Sequence, residues 1–541
     1  MAGPSSLLRW WLLAVVVALS IHLGGFPLFD PDEGRNAEVG REMAVTNDYV
    51  MPRLDGLPYL DKPIVYFAAE AAAMEVLGPT ETAARLPALL FTLINAAFLW
   101  WFMRRCVAPP SSADETGAQP AQGDLIAAIV FLATPLAISF SRTVIFDSAL
   151  ALFITMATAF FYLACEEESR KWSGLAWLAI GLGVITKGPV ALALPLLVAI
   201  PYAIWRKRFR ALWSWSGLGL FILAVAPWVW AISLAIPDFL HYVLVTETAQ
   251  RLATKALKRT GPPWYFIPYI IGGALPWSIV LLGSPKAIDR RDRLTIFLLL
   301  WIAIPFLFFS ISQSKRPQYI LPLMAPVALL VARIWRDART GSRVAAIVLL
   351  IAGAALVVAP FVVHLPAEYG DAAKVSAIAI GATWIIGGAL ALMPRRDVAL
   401  VALTIPMIAI PLTANPIMQA IGARRSEAGL VEQLRPLVTP KTEVVGIDSF
   451  SGSMTFYSQR TMIVVTPDAE ELTSNYLIRH YATFAGGASI KPESWLGGAL
   501  LDATTPRIYI VRNNDAPHRA QLAARGLRVV GSDAKYVAYA R

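Results

Sequence analysis

The sequence predicts an α-helical polytopic membrane protein with about thirteen transmembrane helices, followed by a small C-terminal soluble α/β domain. Three observations carry that prediction. Hydrophobic residues make up 57% of the 541-residue chain and the mean hydropathy is +0.57, so a bilayer rather than water is the solvent for most of it. Lysines and arginines fall in short clusters between apolar runs. From about Arg424 the composition changes to that of a soluble module.

A hydrocarbon core of about 30 Å takes roughly 20 apolar residues in a helix. Runs of that kind occupy approximately 7–26, 84–103, 124–141, 147–165, 172–187, 188–205, 211–236, 264–284, 294–312, 319–335, 344–365, 375–393 and 398–418. The first follows Arg9 and lacks a convincing cleavage site at Gly24-Gly25-Phe26-Pro27, so it reads as an uncleaved span. Thr186-Lys187-Gly188-Pro189 is a tight turn between the fifth and sixth, placing one lysine at the membrane surface.

Charge tests the count, because one missed span would invert every later loop. Arg104-Arg105, Arg170-Lys171, Arg206-Lys207-Arg208 with Arg210, Lys286 with Arg290, Arg291 and Arg293, Arg336 with Arg339 and Arg343, and Arg395-Arg396 all fall on one side. The positive-inside rule makes that side the cytoplasm, with the N-terminus there and the C-terminal domain exported. A net charge of +10 dispersed in this way is a topology signal and excludes nucleic acid as the partner. Cys106 and Cys165 both fall near the cytoplasm, so no disulfide framework is implied. Pro109 to Gly123 reads as a flexible cytoplasmic loop.

The expected domains are therefore a transmembrane domain over 1–423, with surface helices in the outward loops 27–83 and 237–263, and a C-terminal α/β domain over 424–541. In the latter, Thr442–Ile447, Thr461–Val465 and Pro506–Val511 are strand-like, and Glu470–Phe484 and Ala516–Arg525 are helical candidates. In the first loop a helix begins near Asp32, favoured by its acidic first turn, and Ala37, Gly40, Met43 and Ala44 form a small apolar stripe suited to lying on a membrane surface. A second follows Lys62-Pro63 as far as Leu77. Asp32 and Glu33 suit the dipole of a solvated helix start. Coming directly after a span, they are also held at headgroup level, where ionisable groups are costly unless paired or used.

Several motifs then form a set: Asp30-Pro31-Asp32-Glu33-Gly34-Arg35-Asn36-Ala37-Glu38, Leu60-Asp61-Lys62-Pro63-Ile64-Val65-Tyr66-Phe67, Arg85-Leu86-Pro87, Thr186-Lys187-Gly188-Pro189 and Ser314-Lys315-Arg316-Pro317-Gln318-Tyr319-Ile320-Leu321-Pro322. In this order and on one face, the set resembles the GT-C superfamily of polyprenyl-phosphate-sugar glycosyltransferases, within it the aminoarabinose transferases that modify lipid A. The resemblance runs over nearly the whole chain. It departs at Thr246-Glu247-Thr248-Ala249-Gln250-Arg251, where family members often carry a Glu-His pair before the arginine.

The resemblance implies a GT-C type fold and an inner-membrane enzyme working on its periplasmic face. Its donor would be an undecaprenyl-phosphate-linked sugar, 4-amino-4-deoxy-L-arabinose, and its acceptor lipid A or another envelope molecule, with membrane lipids around it. It implies Asp32 as catalytic base or acceptor positioner, Glu33 beside it and Asp147 as a second acidic position. It further implies that Arg35, Tyr59, Lys62, Arg251, Lys315, Arg316 and Tyr319 meet the donor and its phosphate, with Asp61 and Lys187 as further candidates. A basic clamp of this kind would stabilise charge as the glycosidic bond breaks. Interfacial snorkelling accounts equally for Lys315 and Arg316, and an interfacial aromatic belt for Tyr319. The paired carboxylates suit either an amine of the sugar or a divalent metal, and no ligand spacing singles out a metal, so no cofactor is assigned.

Two other readings stand beside this one. A protein O-mannosyltransferase-like or other envelope glycosyltransferase would keep the chemistry and change the acceptor. A polyprenyl lipid flippase would place charged sites at the bilayer midplane and carry internal repeats, and no repeat is visible.

Overall fold

The structure is a computed structural model and describes residues 4–106, 123–243, 261–364 and 366–541. The chain forms two compact units, Met1–Leu23 with Ala88–Ile417, and Gly24–Pro87 with Met418–Arg541. The first loop thus groups with the C-terminal residues, a different division from the expected one at 423.

In the first unit a helix underlies the apolar runs. α1 covers Pro4–Ser20, α4 Glu81–Cys106, α5 Gly123–Leu132, α6 Pro135–Phe140, α7 Asp147–Glu167, α8 Arg170–Lys187, α9 Val190–Trp205 and α10 Trp215–Ala235, with α2 and α3 belonging to the other unit. Further helices follow at Phe266–Gly273, Trp277–Leu282, Arg293–Ile311, Met324–Ile334, Arg339–Val362, Gly370–Ala391 and Arg396–Ile408. Among the described residues, eight helices are long and apolar enough to cross a membrane. Several expected spans are instead broken, and proline is the reason. The 124–141 run breaks before Pro135 and the 264–284 run before Pro276, because proline has no N–H to continue the ladder, while the 398–418 run is interrupted beside Pro411 but still supplies one of the eight, Arg396–Thr413.

α7 is the heart of this unit, buried almost without interruption from Asp147 to Cys165 and packed on α8 and α9. α10 is its opposite, presenting Trp215, Ile222, Leu223, Trp230 and Leu234 outward. A face that apolar has no place in water and fits lipid. The expected turn at Thr186–Pro189 joins α8 to α9, and Gly188 there adopts φ +90°, a conformation that favours glycine. Both cysteines are free thiols. The expected loop at 109–123 lies outside the described residues but for Gly123.

The second unit contains α2 (Asp32–Thr46), α3 (Val65–Leu77) and the hairpin β1 (Arg53–Leu54) and β2 (Leu57–Pro58). Asp55-Gly56, both with positive φ, form its turn, the Asp-Gly chemistry that a two-residue hairpin prefers. The C-terminal part is a six-stranded sheet built from β3 (Glu443–Ile447), β4 (Ile463–Val465), β5 (Ile490–Lys491), β6 (Arg507–Arg512), β7 (Arg528–Ser532) and β8 (Tyr536–Ala540). Their order is β5-β4-β3-β6-β8-β7, parallel from β5 to β6 and antiparallel at β8 and β7. The three expected strands are β3, β4 and β6. Val445, Ile447, Val465, Tyr509 and Val511 of the sheet bury against Leu496, Leu500 and Leu522 from the helices Glu493–Leu501 and Ala516–Ala524.

Two local expectations change. α2 is not a surface helix with one apolar stripe: Glu33, Gly34 and Asn36–Met43 are buried, packed on α3, β1 and the short helix Gly452–Ser458. Gly34 and Gly452 make that approach close, since a Cβ on Gly34 would lie 2.5 Å from the Ser453 nitrogen and one on Gly452 2.3 Å from the Arg35 nitrogen. The helix expected over Glu470–Phe484 is three short turns, because Thr473 turns left-handed and Ser474 restarts the chain as an N-cap for Leu477.

Candidate active site

The candidate residues fall into two groups, one in each unit. In the second unit, α2 carries Asp32, whose side chain is 42% exposed and whose Oδ1 accepts from Arg35 Nη2 at 2.8 Å. Arg35 also donates to Thr473 Oγ1 at 2.6 Å and lies 5.9 Å from the Tyr59 ring centre. Burial works against its charge, but Tyr59, Asp32 and Asp61 together hold its pKa above the ordinary value. Tyr59 is buried edge-on against Phe67. The Asp61 carboxylate accepts from Asn475 N at 3.0 Å, capping the helical turn Asn475–Arg479, and Lys62 Nζ donates to the Asp61 carbonyl at 2.7 Å. The structure therefore brings Asp32, Arg35, Tyr59, Asp61 and Lys62 together, with one exposed carboxylate at their edge.

Glu33 is placed differently. Its two oxygens accept from Arg85 Nε at 3.0 Å and Nη2 at 2.9 Å, and Oε2 also accepts from Phe29 N at 3.0 Å. Arg85 donates onward to the Phe26 and Pro27 carbonyls at 2.8 and 3.0 Å and lies over the Phe26 ring. Both side chains are out of solvent. This is a fork-to-fork clamp that closes the first loop, and it engages both oxygens of Glu33.

Below it lies a layer of buried carboxylates that sequence reasoning did not single out. Glu38 pairs with Arg41 through contacts of 2.6 and 2.7 Å, Glu42 accepts from Gly56 N at 2.9 Å, and Asp55 accepts from Met462 N at 2.6 Å. Glu70 on α3 is wholly buried with neither oxygen hydrogen-bonded. Burial raises the pKa of Glu38 to about 8, raises that of Glu42, and pushes Asp55 and Glu70 well above their ordinary values. Asp30 and Glu427 share the hydroxyls of Ser451 and Ser453; burial, then the nearby Glu427, pushes Asp30 up. The available signal was the acid-base spacing of Glu33, Glu38, Arg41 and Glu42 on one helix.

In the first unit Asp147, the buried first residue of α7, pairs with Lys187 at the end of α8, Nζ to Oδ1 2.5 Å. Its Oδ2 is buried without a hydrogen-bond partner, and Lys187 Nζ sits 5.4 Å from the centre of the Tyr319 ring. Asp147, Lys187 and Tyr319 are thus neighbours. Lys315 is taken up by the backbone: Nζ donates to the carbonyls of Ser310 at 2.7 Å, Ser312 at 2.9 Å and Phe309 at 3.3 Å, satisfying the end of the Arg293–Ile311 helix. Arg316 next to it is half-buried. Arg142, missed as a fixture, donates to the Leu19 carbonyl at 2.5 Å in the last turn of α1 and to the His22 carbonyl at 2.6 Å just after it. Arg251 and the departure at Thr246–Gln250 lie outside the described residues.

No sequence-predicted carboxylate belongs to the close grouping of metal-ligand side chains found among the described residues, which is Asp448, Asp515 and His518 at the sheet.

Comparison with known proteins meets this geometry. Residues 61–230 match the family model described as dolichyl-phosphate-mannose-protein mannosyltransferase. The undecaprenyl phosphate-α-4-amino-4-deoxy-L-arabinose arabinosyl transferase of Edwardsiella ictaluri is 32% identical over 413 residues, 72% of either chain. The protein of the same name from Erwinia tasmaniensis is 34% identical over 326 residues, and the match spans 58% of this chain but 57% of that one. The crystal structures of ArnT from Cupriavidus metallidurans, in the apo state and bound to undecaprenyl phosphate, superpose with a TM-score of 0.83 at 24% identity, covering 98% of this chain and 97% of that one. The fold is therefore that of a multi-span membrane protein of GT-C type, and the chain belongs to the undecaprenyl phosphate-α-4-amino-4-deoxy-L-arabinose arabinosyl transferase family.

Proposed function

We propose that the protein is an integral inner-membrane glycosyltransferase that moves 4-amino-4-deoxy-L-arabinose from undecaprenyl phosphate to a phosphate of lipid A. The observation that carries this reading is the group around Asp32, an exposed carboxylate fixed beside Arg35, Tyr59, Asp61 and Lys62, in a chain of this family. The positive-inside pattern supports a periplasmic face for that group and a cytoplasmic one for the arginine clusters.

In the reaction an acceptor oxygen attacks the anomeric carbon, the bond from that carbon to the polyprenyl phosphate breaks, and its electron pair leaves with the phosphate. Arg35 and Lys62 meet the charge of that phosphate. A phosphate monoester acceptor has a second pKa of about 6 and arrives largely dianionic, so it needs no base. Asp32 then positions the acceptor and balances Arg35. Asp147, steadied by Lys187 and beside Tyr319, is the second acidic position, and it holds the lysine charge at the end of α8. Arg251 and Arg316 are donor-binding candidates, and Lys315 fixes the backbone that presents Arg316.

The mannosyltransferase match over 61–230 favours a second reading, in which the acceptor is a hydroxyl and Asp32 must take its proton. Purified protein supplied with undecaprenyl-phosphate aminoarabinose and lipid A, with release of undecaprenyl phosphate followed, tests both. Asp32→Asn should stay folded and lower transfer. A residual rate would fit a phosphate acceptor, and a loss of roughly 10²–10⁴-fold a hydroxyl one. Wild-type rate in that variant removes Asp32 from the site. Absence of turnover with any polyprenyl donor, alongside donor translocation in vesicles, defeats the transferase reading.

A further inference from the structure

In the first unit, a cavity of about 280 Å³ opens between helices at the end that bears the arginine clusters. It is walled by Leu8 of α1, Met103 of α4, Ile126 of α5 and Leu400, and three arginines line it: Arg333, Arg336 and Arg396. Its volume lies at the lower edge of the roughly 300–1,000 Å³ of small-molecule pockets, the size of a headgroup rather than of a whole lipid-linked sugar.

The charge in it is not balanced by the protein. Asp397, the acidic residue in the lining, is bridged by Arg395 at 3.3 Å, and Arg333 is bridged by Asp292 at 2.7 Å. Arg396 has only neutral acceptors, Ser342 Oγ at 2.7 Å and the Trp335 carbonyl, and its guanidinium lies 4.2 Å from the centre of the Trp335 ring. The Nε atoms of both Arg333 and Arg396 are buried with no hydrogen-bond partner. Arg336 is exposed at the rim. Arg396 and Arg336 thus line the cavity with no carboxylate bridged to either among the described residues, and an anion supplied from outside balances their charge. Apolar walls beneath a basic mouth are what a lipid phosphate with its acyl chains requires, and basic pockets between membrane helices on the cytoplasmic side are where anionic headgroups dock.

We propose that this cavity binds the phosphate of an anionic phospholipid on the membrane face opposite the sugar-transfer groups. The site is independent of the transferase reaction. Its ligand chemistry, a phosphate oxyanion, is shared with free phosphate, and the apolar walls favour the lipid.

The test uses the full chain in detergent, with native mass spectrometry and thermal unfolding in the presence of phosphatidylglycerol, phosphatidylcholine or inorganic phosphate. Phosphatidylglycerol should be retained and raise the unfolding temperature, while phosphatidylcholine and inorganic phosphate should do neither. Arg336→Gln, at an exposed position that leaves the fold intact, should weaken phosphatidylglycerol binding roughly fivefold, the effect of one basic residue at an anionic surface. Arg290→Gln, an exposed arginine outside the cavity lining, should leave it unchanged. Equal binding of the two lipids, full protection by inorganic phosphate, an unaffected Arg336→Gln, or equal weakening in Arg290→Gln would each overturn the assignment.

Discussion

Replacing Arg85 by Met removes the centre of the clamp that closes the first loop. The guanidinium is wholly buried and donates to both oxygens of Glu33 and to the Phe26 and Pro27 carbonyls. Met keeps much of the volume but strands the Glu33 carboxylate in a site with 4% side-chain exposure. Breaking a buried pair from one side costs about 3–5 kcal/mol, because the remaining charge is left unpaired. If the second unit, roughly 190 residues, melts cooperatively, about 2–4 °C per kcal/mol puts its unfolding roughly 6–20 °C lower. The double variant Glu33→Gln with Arg85→Met leaves no unpaired charge and should recover part of the loss. Thermal unfolding of the four proteins in one detergent, arranged as a double-mutant cycle, measures the coupling. A single variant within about 2 °C of wild type, or a cycle with no coupling, would refute the clamp as the holding element, since the smallest loss derived from these magnitudes is about three times larger.

Three further outcomes follow from the same geometry. Glu70, buried without a partner, has its folded pKa raised by burial and then by Glu33, so its contribution is full below the unfolded carboxylate range and is lost as pH rises toward the folded pKa. Glu70→Gln should flatten the fall in unfolding temperature between acid and alkaline pH, and an unchanged slope would argue against it. Gly34→Ala would place a methyl 2.5 Å from the Ser453 nitrogen, so α2 and its neighbour must part, at a cost of about 1–3 kcal/mol read as a lower unfolding temperature. Lys187→Gln should destabilise more than Lys187→Gln with Asp147→Asn, because the single change leaves Asp147 charged and buried; melting of both variants decides it.

How much of this was legible in the sequence varies with the range of the forces involved. The helices were visible because the bilayer imposes a length and a polarity that any stretch of chain must meet by itself, and β3, β4 and β6 were visible because buried parallel strands are short apolar runs. Asp32, Arg35 and Lys62 could be picked out as charged groups of the first loop, and the structure places them as neighbours. The fate of Glu33 could not, because its partner lies 52 residues away. Nor could the burial of α2, which depends on contacts such as Asp55 with Met462 and Asp61 with Asn475, separated by 407 and 414 residues. Lys315 shows a more local limit: a lysine just past a helix looks alike in sequence whether it faces an anion or folds back on the last carbonyls, and its Nζ donates to the Ser310 and Ser312 carbonyls. Proline breaks within long apolar runs were readable in principle, since Pro135, Pro276 and Pro411 stand in the runs they divide.

The stitching of the first loop to the end of the chain has a consequence in time. Gly24–Pro87 leaves the ribosome roughly 330 residues before Met418 does, and at about 5–20 residues per second the interval is on the order of tens of seconds. Through that interval Asp30, Asp55 and Asp61 have been made while Ser451, Met462 and Asn475, their eventual donors, have not. The loop can close its Glu33–Arg85 clamp by itself, but these three carboxylates must wait for the last quarter of the polypeptide. A stop codon anywhere before Ser451 would leave not a shorter enzyme but a membrane bundle carrying an unfinished loop, open to proteases.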